Sequence, residues 1–163
     1  MISNTLYPKE YGNNPLFPLP QNFKLEFKNH VSGLGVVCLK PFKKGETIAK
    51  LAGEIVDAIR PHSFQINSKK HLNDKYFTGY FLHACEPNTA INTKALKATA
   101  IKNIEPGSFI TIDYSATEDY LFRQFKCNCG SKKCRGVIAG KKEIPRATLS
   151  LIQHYEDDND NDF

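Results

Sequence analysis

Three cysteines within eight residues, Cys127-Asn-Cys129-Gly-Ser-Lys-Lys-Cys134, constrain this chain more than any other feature of it. Thiols packed this closely are an oxidation hazard unless something holds them. Gly130 permits the tight turn that lets all three converge on one tetrahedral zinc ion. A closed zinc site needs four ligands, so the fourth must come from elsewhere: Cys85, Cys38 or a histidine such as His83. Cys38 lies in the apolar run VVCL (36–39) and reads as core. Cys85, in the turn-rich HACEPN, is the better candidate. Five cysteines, an odd number, suit reduced thiols and a metal better than a secreted disulfide framework. The expectation is an intracellular protein.

A chain of 163 residues supports one ordinary domain and is too short for two separate cores. With 40% hydrophobic and 24% charged residues it falls in the soluble globular range, which excludes wholesale disorder, collagen and coiled coil. No stretch approaches the ~20 apolar residues of a membrane span, and MISNTLYPKEY shows no basic patch leading into an apolar run. The net charge of +5 is unevenly spread. The last eight residues, EDDNDNDF, hold five of the 17 acids and no base, and read as a disordered solubilising end. Between Arg123 and Arg146 eight bases face one acid, Glu143. Such a face suits nucleic acid or an acidic protein surface, although a solvated lysine-rich surface looks the same.

Residues 1–22, interrupted by Pro8, Pro15, Pro18 and Pro20, read as an irregular lead-in that wraps the core. From Phe23 the pattern changes. Phe23, Leu25 and Phe27 alternate with Lys24, Glu26 and Lys28, which predicts a half-buried strand. Further strands are expected at VVCL (36–39), 47–59, Ser63–Ile66, Ala90–Asn92, Lys97–Ile101 and Phe109–Tyr114, with Glu105-Pro106-Gly107 as a turn. Only Ser115–Phe125 and Ala147–Tyr155 look helical. The predicted architecture is mostly β.

Three further pieces stand out. Gly33-Leu34-Gly35 is a lone G-x-G, and most of these are turns; no third glycine or Gly-Lys-Ser/Thr makes it a nucleotide loop. His83-Ala84-Cys85-Glu86-Pro87-Asn88 and Ile110-Thr111-Ile112-Asp113-Tyr114 are, singly, ordinary core and strand-end residues. Taken in order, GLG (33–35), GE (53–54), LHACEPN (82–88), ITIDY (110–114) and CNCGSKKC (127–134) resemble the SET-domain protein lysine methyltransferases with a zinc-binding post-SET segment, in a small standalone or bacterial-type form.

The resemblance implies a mostly β SET fold with knot-like C-terminal threading. It divides the chain into a lead-in (1–22), a SET domain (23–122), a post-SET zinc segment (123–140), and a C-terminal helix with an acidic tail (141–163). It implies S-adenosylmethionine bound by Leu34, Gly35, Leu82, His83 and Tyr114, with Val137 and Ile138 nearby. One structural zinc would be held by Cys85, Cys127, Cys129 and Cys134. Tyr114 is the catalytic tyrosine in this reading, and Phe64, Tyr80, Phe122 and Phe125 line the channel for the substrate lysine. The partner implied is a protein with an exposed lysine, a histone among the candidates; nucleic acid is compatible but not required, and no membrane is expected. One departure matters: the family's asparagine before the histidine is Leu82 here, and its following serine is Ala84. Loss of those polar contacts weakens cofactor binding by about 1–3 kcal/mol. This departure keeps a second class open, a catalytically impaired, zinc-stapled module binding an acidic partner or nucleic acid through residues 123–146.

Overall fold

The structure is a computed structural model, described here for residues 4–146. The helix expected at Ala147–Tyr155 and the acidic tail lie outside the described residues. In chain order the strands are β1 (Phe23–Asn29), β2 (Gly33–Cys38), β3 (Thr47–Lys50), β4 (Glu54–Val56), β5 (Ser63–Gln65), β6 (His71–Asn73), β7 (Leu82–His83), β8 (Thr89–Asn92), β9 (Lys97–Ala100) and β10 (Thr111–Ile112). A single turn of helix, α1 (Tyr114–Thr117), is followed by β11 (Phe125–Lys126) and β12 (Val137–Ile138). They form small sheets ordered β1-β2, β3-β9-β8, β4-β6-β5, β10-β7 and β11-β12. All pairs are antiparallel except β7 with β10, which run parallel. Among the described residues no helix is long and apolar enough to cross a membrane.

The mostly β class expected from the alternating segments is what forms, with two differences of detail. First, the register Phe23↔Cys38, Leu25↔Val36 and Phe27↔Leu34 puts one apolar row on one face of the β1-β2 hairpin. Phe23 is buried, but Leu25 is 48% and Phe27 54% exposed. The far end of the outer strand runs past the core, so alternation is obeyed and burial is not. Second, the expected strand 47–59 breaks into β3 and β4, which belong to different sheets. The break is at Gly53, where the Asn73 carbonyl approaches so closely that a Cβ would stand 2.5 Å from it.

The core is an aromatic chain. Phe23 packs on Phe77 at 4.8 Å between ring centroids, and Phe77 on Phe81 at 5.0 Å, both edge to face. The lead-in is tied to it by one buried carboxylate. Asp74 accepts from Tyr7 Oη at 2.7 Å, Thr78 Oγ1 at 2.6 Å, and the backbone N–H groups of Tyr76, Phe77 and Thr78. These last donors shape the turn Thr78–Tyr80 that leads into β7. Tyr7→Phe removes one hydrogen bond to a charged group and should cost about 1.5–3 kcal/mol of stability. The check is a lower urea midpoint at unchanged slope.

Candidate functional site

The parallel pairing of β7 with β10, Thr111↔Leu82 and Ile112↔His83, brings the HACEPN and ITIDY segments side by side. Asp113 leaves β10 in extended conformation and caps α1, accepting from Ser115 N at 3.0 Å. Tyr114 is therefore the first helical residue. Its backbone N–H donates to His83 Nδ1 at 3.1 Å. A ring nitrogen that accepts carries no proton, so the remaining proton sits on Nε2, which faces Cys85 Sγ at 3.5 Å. Burial pushes His83 down to about 4, so this neutral tautomer persists at physiological pH. The Asp113 carboxylate, 3.8 Å from Nδ1, is consequently not an ion-pair partner of His83.

The Tyr114 hydroxyl donates to the Phe81 carbonyl at 2.5 Å. Burial raises its pKa to about 12, so it stays a neutral phenol. His83, Tyr114 and Phe125 form a ring cluster with centroids 5.2, 5.6 and 5.8 Å apart. Tyr114 and Phe125 also serve as shared wall of two cavities. The first, about 180 Å³, is lined by Phe64, Phe81, Ile112, Phe122 and, at one wall, Glu118. The second, also about 180 Å³, lies between Ser32, Leu82, His83 and the segment Lys126–Cys129. A third, about 310 Å³, touches Ser32, Leu34, Tyr80, Leu82 and Tyr114.

The expected channel residues Phe64, Phe122 and Phe125 thus share one cavity, while Tyr80 lies in the wall of the third. Leu82, His83 and Tyr114 meet at the second cavity. Leu34 lies at the third, and Gly35 lines none of the three. What Gly35 does is admit Leu82: a Cβ there would stand 2.8 Å from Leu82 Cδ1 and from the Phe109 ring. Ile138 is buried opposite Phe125 in the β11-β12 pair.

Cys85, Cys127, Cys129 and Cys134 bring their sulfur atoms within 4.8 Å of one another, with Cys85 and Cys127 3.9 Å apart. A tetrahedral tetrathiolate zinc with 2.3 Å bonds places sulfurs about 3.8 Å apart, so the donor set and spacing fit that ion. Burial pushes the Cys127 thiol up, whereas at Cys129 backbone N–H donors and neighbouring thiols outweigh burial and bring it down to about 6. Cys38 is elsewhere, buried and donating to Glu105 O, as its apolar run implies.

Three contributors were not legible beforehand. Arg135 makes a two-pronged contact to Asp113 at 2.7 and 2.8 Å, tying the cysteine segment to the strand before Tyr114. Burial raises the Asp113 carboxyl, but the Arg135 hydrogen bonds outweigh it and hold the group below its ordinary range. The Phe81 carbonyl is a backbone atom and leaves no mark on side-chain patterns. Glu118 sits in a segment expected to be helical through Phe125, yet α1 stops after one turn. Asp119 N donates to Gln65 Oε1, Leu121 N to Glu143 Oε1, and Lys141 N to the Glu118 carbonyl. Distant partners take the groups a helix would have paired internally.

The SET domain family model matches residues 33–115. The chain is 26% identical over 164 residues to the histone-lysine N-methyltransferase ASHR3 of Arabidopsis thaliana, covering 87% of this chain and 33% of that protein. It is 28% identical over 137 residues to the histone-lysine N-methyltransferase trithorax of Drosophila virilis, covering 69% and 4%. The chain therefore spans a third or less of the length of these relatives. Its fold is similar to that of KRYPTONITE, whose crystal structure holds mCHH DNA, an H3(1-15) peptide and SAH, with TM-score 0.58 and 19% identity over 74% of this chain and 30% of that one. Since the matched segment covers just over half of the chain and contains both the paired β7-β10 strands and Tyr114, the chain belongs to the SET domain family.

Proposed function

We propose that this chain methylates the side-chain amine of a protein lysine, using S-adenosylmethionine as methyl donor and a basic protein such as a histone as substrate. The observation that carries this is Tyr114 standing in the wall of two cavities at once, one aromatic and one bordered by His83 and the cysteine cluster. When bound, the cofactor supplies a sulfonium methyl group already activated for in-line displacement. The chain's residues orient the reactants and keep water out. Leu82 N and Ala84 N donate to the Ile110 and Ile112 carbonyls, so the His83 N–H and C=O point from the other edge of β7, where they can meet the cofactor. Tyr114, its proton committed to the Phe81 carbonyl, presents its oxygen lone pairs to the lysine amine. An ordinary lysine has pKa ≈ 10.4, and the attacking amine must be neutral. Burial beside Phe64, Phe81 and Phe125 disfavours the ammonium and helps supply that form. The four thiols need reducing surroundings, which supports a location inside the cell.

The relatives named as histone-lysine methyltransferases, and the peptide and DNA in the KRYPTONITE structure, support a histone-like partner. The test is calorimetric titration with S-adenosylmethionine, followed by transfer of labelled methyl to a core-histone mixture. Saturable binding with lysine labelling is expected; absence of both favours the alternative of a non-catalytic binding module, which Leu82, packed on Gly35, keeps in view. Leu82→Asn keeps the length and branching of this side chain and offers an amide to the cavity. Cofactor binding should tighten roughly tenfold, one recovered hydrogen bond. Weaker binding by the asparagine variant would mean that the pocket is built around leucine.

A further inference from the structure

Glu118 has no part in the transfer step just described, yet among the described residues it is the one acid lining the aromatic cavity, and it is only 6% exposed. Its Oε2 accepts from Gln65 N at 2.8 Å, and among the described residues no ion pair reaches it. Its neighbour is differently placed: Asp119 is paired with Lys142 at 3.4 Å and with the Gln65 amide. Arg60 and Arg123 also line this cavity, but both are exposed and mark its mouth. Burial pushes the Glu118 carboxyl up, outweighing the Gln65 N–H, the Thr117 side chain and the charge of Lys141, which makes no ion pair with it. Such a group is costly to keep unless something compensates it.

Its position suggests what does. Glu118 caps the C-terminus of α1, its N–H donating to Tyr114 O, so it stands one helical turn beyond Tyr114. Four residues of helix rise about 6 Å. In an extended peptide, side chains two residues apart point to the same face about 6.8 Å from each other. A peptide lying along α1 with its lysine at Tyr114 would place the side chain two residues away beside Glu118.

We infer that Glu118 is a specificity-determining residue that accepts an arginine or lysine two positions from the methylated lysine, so that the substrate class is K-x-R/K or R/K-x-K. This rests on the proposed methyltransferase reading for the role of Tyr114. The paired charges are withdrawn from water, which makes their hydrogen bonds stronger than surface contacts.

The experiment compares wild type, Glu118→Gln and Glu118→Lys, each saturated with S-adenosylhomocysteine. Binding is read by fluorescence anisotropy with synthetic eight-residue peptides carrying one target lysine in K-x-R, K-x-A or K-x-E context, and in the reversed order. Glutamine keeps a carbonyl oxygen for the Gln65 N–H, so the fold is retained, and melting temperature and S-adenosylhomocysteine affinity serve as checks on it. Wild type should bind the arginine peptide about tenfold tighter than the alanine peptide in one of the two orders. Glu118→Gln should bind them equally, and Glu118→Lys should prefer the glutamate peptide. Equal binding by wild type, no saturable binding at all, or a preference that survives in Glu118→Gln overturns the assignment. Preference without methyl transfer would sink the enzymatic reading and leave the subsite; transfer without preference would do the reverse.

Discussion

Tyr114→Phe is expected to lower the rate of methyl transfer on the order of 10²-fold or more, with little change elsewhere. The substitution removes one oxygen and almost no volume. The ring contacts to His83 and Phe125 do not involve that oxygen, and the backbone bond from Tyr114 N to His83 is untouched. What disappears is the hydroxyl held by the Phe81 carbonyl, and with it the positioning of amine and methyl in line. The Phe81 carbonyl also loses its partner in a half-buried site, so a modest drop in stability should accompany the kinetic effect. Cofactor affinity should change far less than the rate, since most of the second cavity is contributed by other residues. The measurement is single-turnover transfer from labelled cofactor, read beside calorimetry of S-adenosylhomocysteine. For wild type the rate should rise towards pH ~9, as more of the attacking lysine becomes neutral. Equal rates for the two proteins would remove Tyr114 from the chemistry.

Cys129→Ser should abolish metal binding and, with it, activity. Purified wild type should carry about one zinc per chain under reducing conditions. In the variant three sulfur ligands remain, and the energy of ion binding no longer holds the cysteine segment. The other ties of that segment are individually modest; they include the two-residue β11-β12 pair, the partly exposed Arg135–Asp113 contact, Ser115 Oγ donating to Ala139 O, the exposed Ser131 and Lys133 contacts to Glu86, and Lys141 N donating to Glu118 O. Trypsin should therefore cut within 123–146 while the core up to β10 survives. Because Cys127 and Cys129 border the second cavity, cofactor affinity should fall together with zinc content. A wild-type protein free of zinc, or a variant that keeps its zinc, would contradict the four-thiol site.

Legibility varied with the range of the interaction. The cysteine cluster was readable because C-x-C-x₄-C places its donors within one loop, whatever the rest of the chain does. Cys85 was readable from its turn context, and the structure brings its sulfur to the other three. The helix expected over Ser115–Phe125 failed for the opposite reason. Its composition permits a helix, but Asp119 N is taken by a side chain 54 residues away and Leu121 N by one 22 residues away. No local period contains that information.

By itself the sequence determined which groups are available for chemistry: the thiols, the phenol of Tyr114, the imidazole of His83, and their order along the chain. It also determined the β character, since alternation and turn residues act over a few positions. Only the tertiary structure decided which of these groups share a wall. It set Tyr80 in a cavity that adjoins the one lined by Phe64, turned Gly35 into a berth for Leu82, and put Glu118, which among the described residues has no ion-pair partner, into the cavity beside Tyr114. The physical reason is that burial and the hydrogen-bond partners of a side chain are set by segments distant in sequence, which converge only when sheets pack and β7 pairs with β10.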